Sequence, residues 1–284
     1  MGIPRHFHFV FGLKPQKEPF HLSHYLCLAS CIEVNRPERL TLYYHYEPFG
    51  HYWELIREKI ELVQVDLASE VSGFDYKDRL IGEKYVYAHH ADFVRIDKLI
   101  EFGGVYADID TLFVHPIPDE LFAHPVVMGI EAPLFDERTQ ALRQSVCNAL
   151  IMAERGAPFL VNLRAQMEGA LDGSWSNHSC QLIRELADRQ PEEIHLEQPC
   201  SFYRFMWTVE DFALLFEGQE ENLEGIFNIH LWSHLWWDRS RKDFSSFHAG
   251  KITESRIRRF DTTYNLLARP FLPAPIRRWW SLAR

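Results

Sequence analysis

The chain has 284 residues, 46% of them hydrophobic and 25% charged, which are ordinary proportions for a soluble globular protein. Its net charge of −10 at pH 7 argues against a broad nucleic-acid-binding surface, although a metal or a local basic cluster could still receive an anionic ligand. The five cysteines are odd in number and scattered, which predicts free thiols in a reducing cytosol rather than a disulfide framework.

The two ends of the chain differ in character. The N-terminal residues lack the apolar core of a secretory signal peptide, and no window of about 18 apolar residues predicts a transmembrane helix. We therefore expect a cytoplasmic protein. The last residues, RPFLPAPIRRWWSLAR (269–284), are basic and rich in tryptophan. This composition is typical either of a tail packed on the domain or of a peripheral contact with the inner face of a membrane.

The first third of the chain alternates between strand and helix patterns. The predicted elements are a strand at 6–11, a helix at 19–35, a strand at 39–46, a helix at 50–60 and a strand at 62–67. This βαβαβ order predicts a parallel sheet with right-handed crossovers. A helix at 85–101 follows, ends at Gly103-Gly104, and leads into a strand over 102–114.

Further strands are predicted at 126–131 and 146–154, and a helix at 158–171 begins with Pro158. The remaining sequence is less regular. We therefore predict an α/β fold in one domain (1–284), with a mixed, mainly parallel sheet flanked by helices and an irregular or helical C-terminal part. In open sheets of this class, ligands bind beyond the carboxyl ends of the strands.

Two carboxylates, Asp108 and Asp110, interrupt the apolar stretch FGGVYADIDTLFV (102–114). In a strand, both side chains would point to the same side. Like charges this close stay ionised only if a cation lies between them or water reaches them. Their oxygens suit a hard divalent ion, Mg²⁺ or Mn²⁺, which could bridge to a nucleotide diphosphate. The alternative is a pair of surface acids in a turn.

A different chemistry uses a similar string. Aspartyl phosphatases of the haloacid-dehalogenase type carry D-x-D-x-[T/V] after their first apolar strand. Here Leu112 stands at the fifth position, and the strand lies far from the N-terminus and follows Gly-Gly. The pair therefore fits this class poorly.

The wider context of the two acids is more specific. Residues 87–114, YAHHADFVRIDKLIEFGGVYADIDTLFV, resemble the donor-binding core of DXD-containing glycosyltransferases of the family 32 kind, a core shared with large glucosylating bacterial toxins. The pattern is A-x-x-[SA]-D-x-x-R-x-x-x-L followed by G-G-x-Y-x-D-x-D. The matching residues are Ala88, Ala91, Asp92, Arg95, Leu99, Gly103, Gly104, Tyr106, Asp108 and Asp110. The opening IPRHFHFVFG (3–12) is similar to the family's first strand, with Phe11 where Trp is common.

The resemblance covers roughly the first 115 residues and implies a GT-A-like (Rossmann-like) fold. It also implies transfer of a sugar from a nucleotide-sugar donor, expected to be a UDP-sugar, with retention of the anomeric configuration. The acceptor would be a glycan, a lipid-linked or a small-molecule acceptor, and a protein acceptor stays open. On this basis, 1–115 would bind the donor and 116–240 would bind the acceptor and complete the metal site. Residues 241–284 would form a C-terminal extension.

The resemblance also implies residue roles. Asp92 and Arg95 share one helix face and would contact the donor sugar and phosphate, or else form a surface ion pair. Tyr106 would close over the sugar or diphosphate, or pack in the core. Gly103 and Gly104 would allow a close backbone approach. The residues expected to cradle the base and ribose at the end of the first strand are His8, Val10, Phe11 and Gly12.

Asp110 is expected to ligate the metal, with Asp108 binding the metal, the ribose or a bound water. His230, in IHLWSH, resembles the family's V-H-x-W segment and would be a third ligand, and its nitrogen favours Mn²⁺ over Mg²⁺. The alternative is a zinc pair with His234, although Leu231 stands where H-E-x-x-H has Glu.

Several polar and aromatic residues are weaker candidates. Asn148 resembles a family strand near the acceptor, and Asn177 and His178 could line the same cleft or cap turns. Trp53 and the pair Trp236-Trp237 could stack on a base or sugar, or simply pack. Two further functions are open: a phosphatase or phosphotransferase using Asp108 and Asp110, and a non-catalytic sugar-nucleotide-binding protein.

Overall fold

The computed structural model describes residues 2–67, 86–136, 140–172, 174–233 and 250–274. The structure contains a seven-stranded sheet. Its strands are β1 (His6–Val10), β2 (Arg39–Tyr44), β3 (Glu61–Gln64), β4 (Gly104–Ala107), β6 (Val126–Ile130), β9 (Val146–Ala153) and β10 (His195–Glu197). From one edge of the sheet to the other, their order is β10-β6-β9-β4-β1-β2-β3. Two small antiparallel pairs join β5 (Thr111–Phe113) to β11 (Asn228–His230) and β7 (Leu134–Asp136) to β8 (Ala141–Arg143).

Neighbouring strands in the large sheet pair in parallel, except that β9 is antiparallel to both β4 and β6. The first three strands and their helices confirm the predicted βαβαβ order. The reversal of β9 has a consequence for function, because it brings the beginning of β9 to the same edge as the ends of β1, β4 and β6. The predicted α/β fold with a mixed, mainly parallel sheet is confirmed.

The helices in the described part of the chain flank this sheet. They are α1 (Leu22–Asn35), α2 (His51–Ile56), α3 (Val86–Phe102), α4 (Pro158–Ala170), α5 (Leu182–Arg189), α6 (Pro199–Phe202), α7 (Val209–Phe216), α8 (Glu254–Arg259) and α9 (Thr263–Ala268). None of the described helices is long and apolar enough to cross a bilayer. The five cysteines all lie in described ranges and form no disulfide.

Two apolar layers cover the two faces of the sheet. Phe7 and Phe9 of β1 pack with α1 on one face. On the other face, Val10 and Tyr106 pack with the apolar side chains of α3, α4 and α5. The alternation along β1 follows from the two-residue period of a strand. It places Phe9 in the core.

One predicted element is wrong. The stretch 102–114 is not a continuous strand, because β4 ends at Ala107 and β5 begins at Thr111 in a separate strand pair. Asp108 and Asp110 lie in the turn between them, which is closed by a 3.1 Å bond from the Thr111 amide to the Asp108 carbonyl. Leaving the sheet at this point gives both carboxylates partners that the interior of a sheet would not supply.

Candidate active site

A cleft of about 780 Å³ lies at the edge of the sheet where β1, β4 and β6 end and β9 begins. Each of these strand ends supplies a side of the cleft: Gly12 after β1, Asp108 after β4, Glu131 after β6, and Cys147 and Asn148 from the start of β9. The site is therefore where the sheet class predicts it, beyond the strand ends.

Asp108, Asp110 and His230 converge in this cleft. A nitrogen of His230 and one oxygen of each carboxylate all lie within 4.8 Å of one another. His230 Nε2 is 3.1 Å from Asp110 Oδ1 and 3.7 Å from Asp108 Oδ2. The antiparallel pairing of β11 with β5 places His230 opposite Thr111, the residue after the acidic turn.

The backbone after β11 holds Asp110 in place. The Leu231 amide donates to the Asp110 carbonyl at 3.1 Å, and the Ser233 amide donates to Asp110 Oδ2 at 3.0 Å. Between these two, Trp232 has a φ of 50°, in the left-handed region that non-glycine residues rarely adopt. Such strain persists only where the surroundings enforce it, and it is found most often at functional sites.

The three side chains fit a divalent cation. Burial raises the pKa of Asp108. Burial lowers the pKa of His230, but the two neighbouring aspartates outweigh this effect and the net pKa is raised. Although His230 Nε2 is close to Asp110, neither ring nitrogen of this buried histidine makes an aligned hydrogen bond. Two carboxylates and an unsatisfied imidazole nitrogen form a donor set that suits Mn²⁺ or a similar ion.

Asp92 is the centre of a second polar cluster beside the first. Asn148 Nδ2 donates to Asp92 Oδ1 at 2.8 Å, Arg95 Nη2 lies 3.2 Å from the same oxygen, and His178 Nε2 lies 2.9 Å from Oδ2. Burial raises the pKa of Asp92, but Arg95 and His178 more than offset this, so the net pKa is lowered. The carboxylate stays ionised and accepts hydrogen bonds only.

Arg95 connects the two clusters. Its Nη1 donates to the Asn148 carbonyl at 2.7 Å and lies 3.3 Å from Asp108 Oδ1. Its guanidinium lies 4.4 Å from the centre of the Tyr106 ring, and the Tyr106 hydroxyl donates to Asp108 Oδ1 at 2.6 Å. Both Asp92 and Arg95 are buried, so the alternative of a surface ion pair is wrong. Tyr106 is buried in the core and also lines the cleft.

Only some of the residues predicted to contact the base and ribose line the cleft. Val10, Phe11 and Gly12 line the cleft, but His8 does not. His8 is fully buried inside the sheet, with Nε2 2.8 Å from the Gly103 carbonyl and Nδ1 3.1 Å from the Tyr43 hydroxyl. His8 does not line the cleft because it lies two residues before the end of β1, inside the sheet rather than at its edge.

Gly103 and Gly104 also lie outside the cleft lining. A Cβ at Gly104 would come within 2.1 Å of the His6 carbonyl oxygen, and its φ is 117°. The close approach that was predicted is therefore made to strand β1 and not to a ligand.

The weaker candidates fall in different places. Asn148 lines the cleft, and His178 lies behind the lining, against Asp92 and His89. Asn177 Nδ2 donates to the Ala170 carbonyl, and Trp53 is fully buried against Phe20. His234, Trp236, Trp237 and the RRWW segment of the tail, for which predictions were made above, lie outside the described residues.

Sequence reasoning missed Glu131, Trp207 and Trp232, which line the same cleft. Glu131 directly follows the apolar strand β6, the same signal that marked Asp108 after β4. Trp232 is the tryptophan of the I-H-L-W segment that marked His230, whereas Trp207 has no local signal of this kind. They reach the site from separate segments, and their rings meet edge to face at 4.7 Å between centroids.

Comparison with known proteins adds independent information. Residues 44–128 match the family model described as a glycosyltransferase sugar-binding region containing a DXD motif. Glucan organizing enzyme 1 of Cryptococcus neoformans var. grubii serotype A is 26% identical over 281 residues, which is 96% of this chain and 71% of that protein. The resemblance to DXD glycosyltransferases is thus confirmed.

Among solved structures, PaToxG glycosyltransferase is 13% identical with a TM-score of 0.45, over 66% of this chain and 70% of that chain. The apo-form glycosyltransferase GlyE of Streptococcus pneumoniae TIGR4 is also 13% identical, with a TM-score of 0.43, over 86% of this chain and 62% of that chain.

Proposed function

We propose that this chain, which carries a DXD sugar-binding region, is a metal-dependent glycosyltransferase. It would move a sugar from a UDP-sugar to a glycan, lipid-linked, small-molecule or protein acceptor, with retention at the anomeric carbon. The observation that carries the proposal is the meeting of two clusters in one cleft. Asp108, Asp110 and His230 lie beside the network of Asp92, Arg95 and Asn148.

Asp108, Asp110 and His230 would hold the cation, with Mn²⁺ favoured by the imidazole nitrogen. When bound, the cation supplies Lewis-acid stabilisation of the charge that develops on the leaving diphosphate. Arg95 adds a fixed positive charge next to Asp108, and burial between several partners restricts its movement. A preorganised charge of this kind stabilises developing negative charge without reorganising during the reaction.

Asp92 would accept hydrogen bonds from hydroxyls of the donor sugar. Its lowered pKa keeps it ionised, and three donors from different elements fix its orientation. Val10, Phe11 and Gly12 line the cleft beside β1, at the opposite side from Glu131, and would contact the base and ribose. His8 and Gly104 would act through the sheet by positioning β1 against β4.

The test is a donor screen on the purified chain. Its melting temperature would be followed with UDP-, GDP- and other nucleotide sugars, each with Mn²⁺ or EDTA, and products would be analysed in parallel. A ligand that binds the folded state raises the melting temperature. We expect one nucleotide class to stabilise the protein only with metal, and this shift to be lost in Asp110→Asn.

Other results would point to other functions. Release of phosphate without sugar transfer would support a phosphatase or phosphotransferase. Metal-dependent binding without turnover by any acceptor or by water would support a non-catalytic sugar-nucleotide-binding protein. No shift with any nucleotide sugar in folded protein would contradict the proposal.

A further inference from the structure

One wall of the cleft is not used by the donor or metal residues described above. Glu131 lies at the end of β6 and is only 7% exposed, yet it lines the cleft. The Ser145 hydroxyl donates to its Oε2 atom. Burial raises its pKa, and Ser145, Cys147 and His230 lower it in part. Among the described side chains, these partners include no lysine or arginine. A buried carboxylate that lines a cavity and is not paired with lysine or arginine is available to a ligand.

The order of the strands places Glu131 relative to the donor. Across the sheet edge the order is β6, β9, β4 and β1. The cleft residues on these strands are therefore Glu131, then Asn148, then Asp108, then Phe11 and Gly12. If the nucleotide lies over β1 and the donor sugar near Asn148 and Asp92, Glu131 lies on the cleft wall away from the nucleotide, where an acceptor can bind beside the sugar without displacing it.

An aromatic surface lines the same cleft. Trp232 Nε1 donates to the Phe205 carbonyl at 2.8 Å, so the ring is fixed and its polar edge is satisfied. Trp207 rests against it and is half-buried in the cleft wall. Tyr203 connects this surface to the neighbourhood of Glu131, because its ring lies 5.6 Å from that of Trp232 between centroids and its hydroxyl is close to Cys147, which is itself close to Glu131.

We propose that Glu131 and Trp207 form the acceptor subsite, and that the acceptor group is a sugar ring of a glycan. The C–H face of a pyranose packs on an aromatic ring, while its hydroxyls donate to a carboxylate. A lipid chain would need a wider apolar wall without a charged group. This assignment rests on the proposed function of the cleft.

The test compares Glu131→Gln and Trp207→Ala with wild type in two assays. Saturation-transfer NMR with a panel of neutral oligosaccharides measures acceptor binding without turnover, and the release of nucleoside diphosphate with and without oligosaccharide measures transfer. Gln keeps the shape and an acceptor for Ser145. The matched control is Glu197→Gln, since Glu197 ends β10, accepts a hydrogen bond from Ser201 and lies outside the cleft lining.

We expect each variant to weaken oligosaccharide binding, and to raise the acceptor KM, by about tenfold or more, as for a lost hydrogen bond to a charged group or a lost stacking surface. The metal-dependent donor shift in melting temperature should equal that of wild type, and Glu197→Gln should change neither assay. The inference is overturned if no oligosaccharide binds wild-type protein, or if the variants bind it as well as the control does. Absence of the donor shift in wild type would instead defeat the proposed function, since oligosaccharide binding is read separately.

Discussion

His178 Nε2 lies 2.9 Å from Asp92 Oδ2, although 86 residues separate them along the chain. The imidazole is fully buried, and it approaches Asp92 from the helical turn Asn177–Gln181, opposite to Arg95 and Asn148, which contact the other carboxylate oxygen. The orientation of a residue in the DXD-region pattern thus depends on a histidine outside that pattern. We regard His178 as a positioning residue for the donor sugar.

Replacing His178 with Ala should therefore weaken donor binding. Asp92 would lose one of its partners and could rotate, so we expect the Kd of the donor to rise about tenfold or more, the usual cost of a hydrogen bond to a charged group. Isothermal titration with the donor chosen by the screen measures this. His178→Gln, which can still donate, should recover part of the affinity.

The control for His178 is its neighbour Asn177, whose amide donates to the Ala170 carbonyl and does not contact Asp92. Asn177→Ala should leave the donor Kd within about twofold of wild type. Unchanged donor affinity in a folded His178→Ala protein would show that Asp92 is held well enough without the imidazole.

Asp110→Asn should remove the metal response while preserving the fold. The Asn side-chain oxygen can still accept from the Ser233 amide, so the turn keeps its support, but one negative charge of the donor set is lost. We expect no Mn²⁺-dependent rise in melting temperature and a fall in kcat of about 10²–10³. Asp119→Asn, at a highly exposed acid paired with Arg5, is the control. A metal response equal to wild type in Asp110→Asn would rule out Asp110 as a ligand.

Gly104→Ala should destabilise the protein strongly. The new methyl group would meet the His6 carbonyl oxygen at 2.1 Å, at a φ of 117° that side chains rarely adopt, so we expect a loss of about 3 kcal/mol or more in unfolding free energy. Gly156→Ala is the matched control, with a φ of 69° and nothing within 4 Å of the added Cβ. There we expect a loss of about 1 kcal/mol. Equal losses in a denaturant titration would contradict the steric argument.

Stability should fall between pH 7 and pH 5 partly because of His8. Burial, assisted by the neighbouring His6, lowers the pKa of His8 from 6.5 to about 3. Below pH 6.5 the His8 imidazole binds a proton in the unfolded chain but stays neutral in the folded protein. The free energy of unfolding therefore rises with pH between these two pKa values. From pH 7 to pH 5, one such histidine costs about 2 kcal/mol.

Denaturant titrations of wild type and His8→Gln at the two pH values measure this term. Gln stays neutral, so the loss of stability on going to pH 5 should be smaller in the variant by roughly that amount. The quantity compared is the change in unfolding free energy between the two pH values. This separates the titration of His8 from any general destabilisation by the substitution. An identical slope in both proteins would mean that His8 is protonated in the folded state as easily as in the unfolded state.

Predictions that rested on short local patterns were largely correct. Predictions that required knowing how far a residue lies from the end of its strand were not. The helix carrying Asp92 and Arg95 is confirmed, since a period of 3.6 residues is legible over a few turns. The strand at 102–114 was predicted in one piece because its apolar residues alternate across the acids as they would in a strand. His8 was predicted in the cleft because the end of a strand was legible, while the distance of each residue from that end was not.

The sequence by itself determined the βαβαβ order and the helix that carries Asp92 and Arg95 on one face, because these depend on patterns between residues near in the chain. It also marked His230 through a short resemblance. Only the tertiary structure decided which distant residues complete the site. The reversal of β9 brings Asn148 between Asp108 and Glu131, the turn at 177–181 brings His178 to Asp92, and β11 brings His230 to Asp110. Such meetings depend on how strands are ordered and packed, and no local pattern encodes that order.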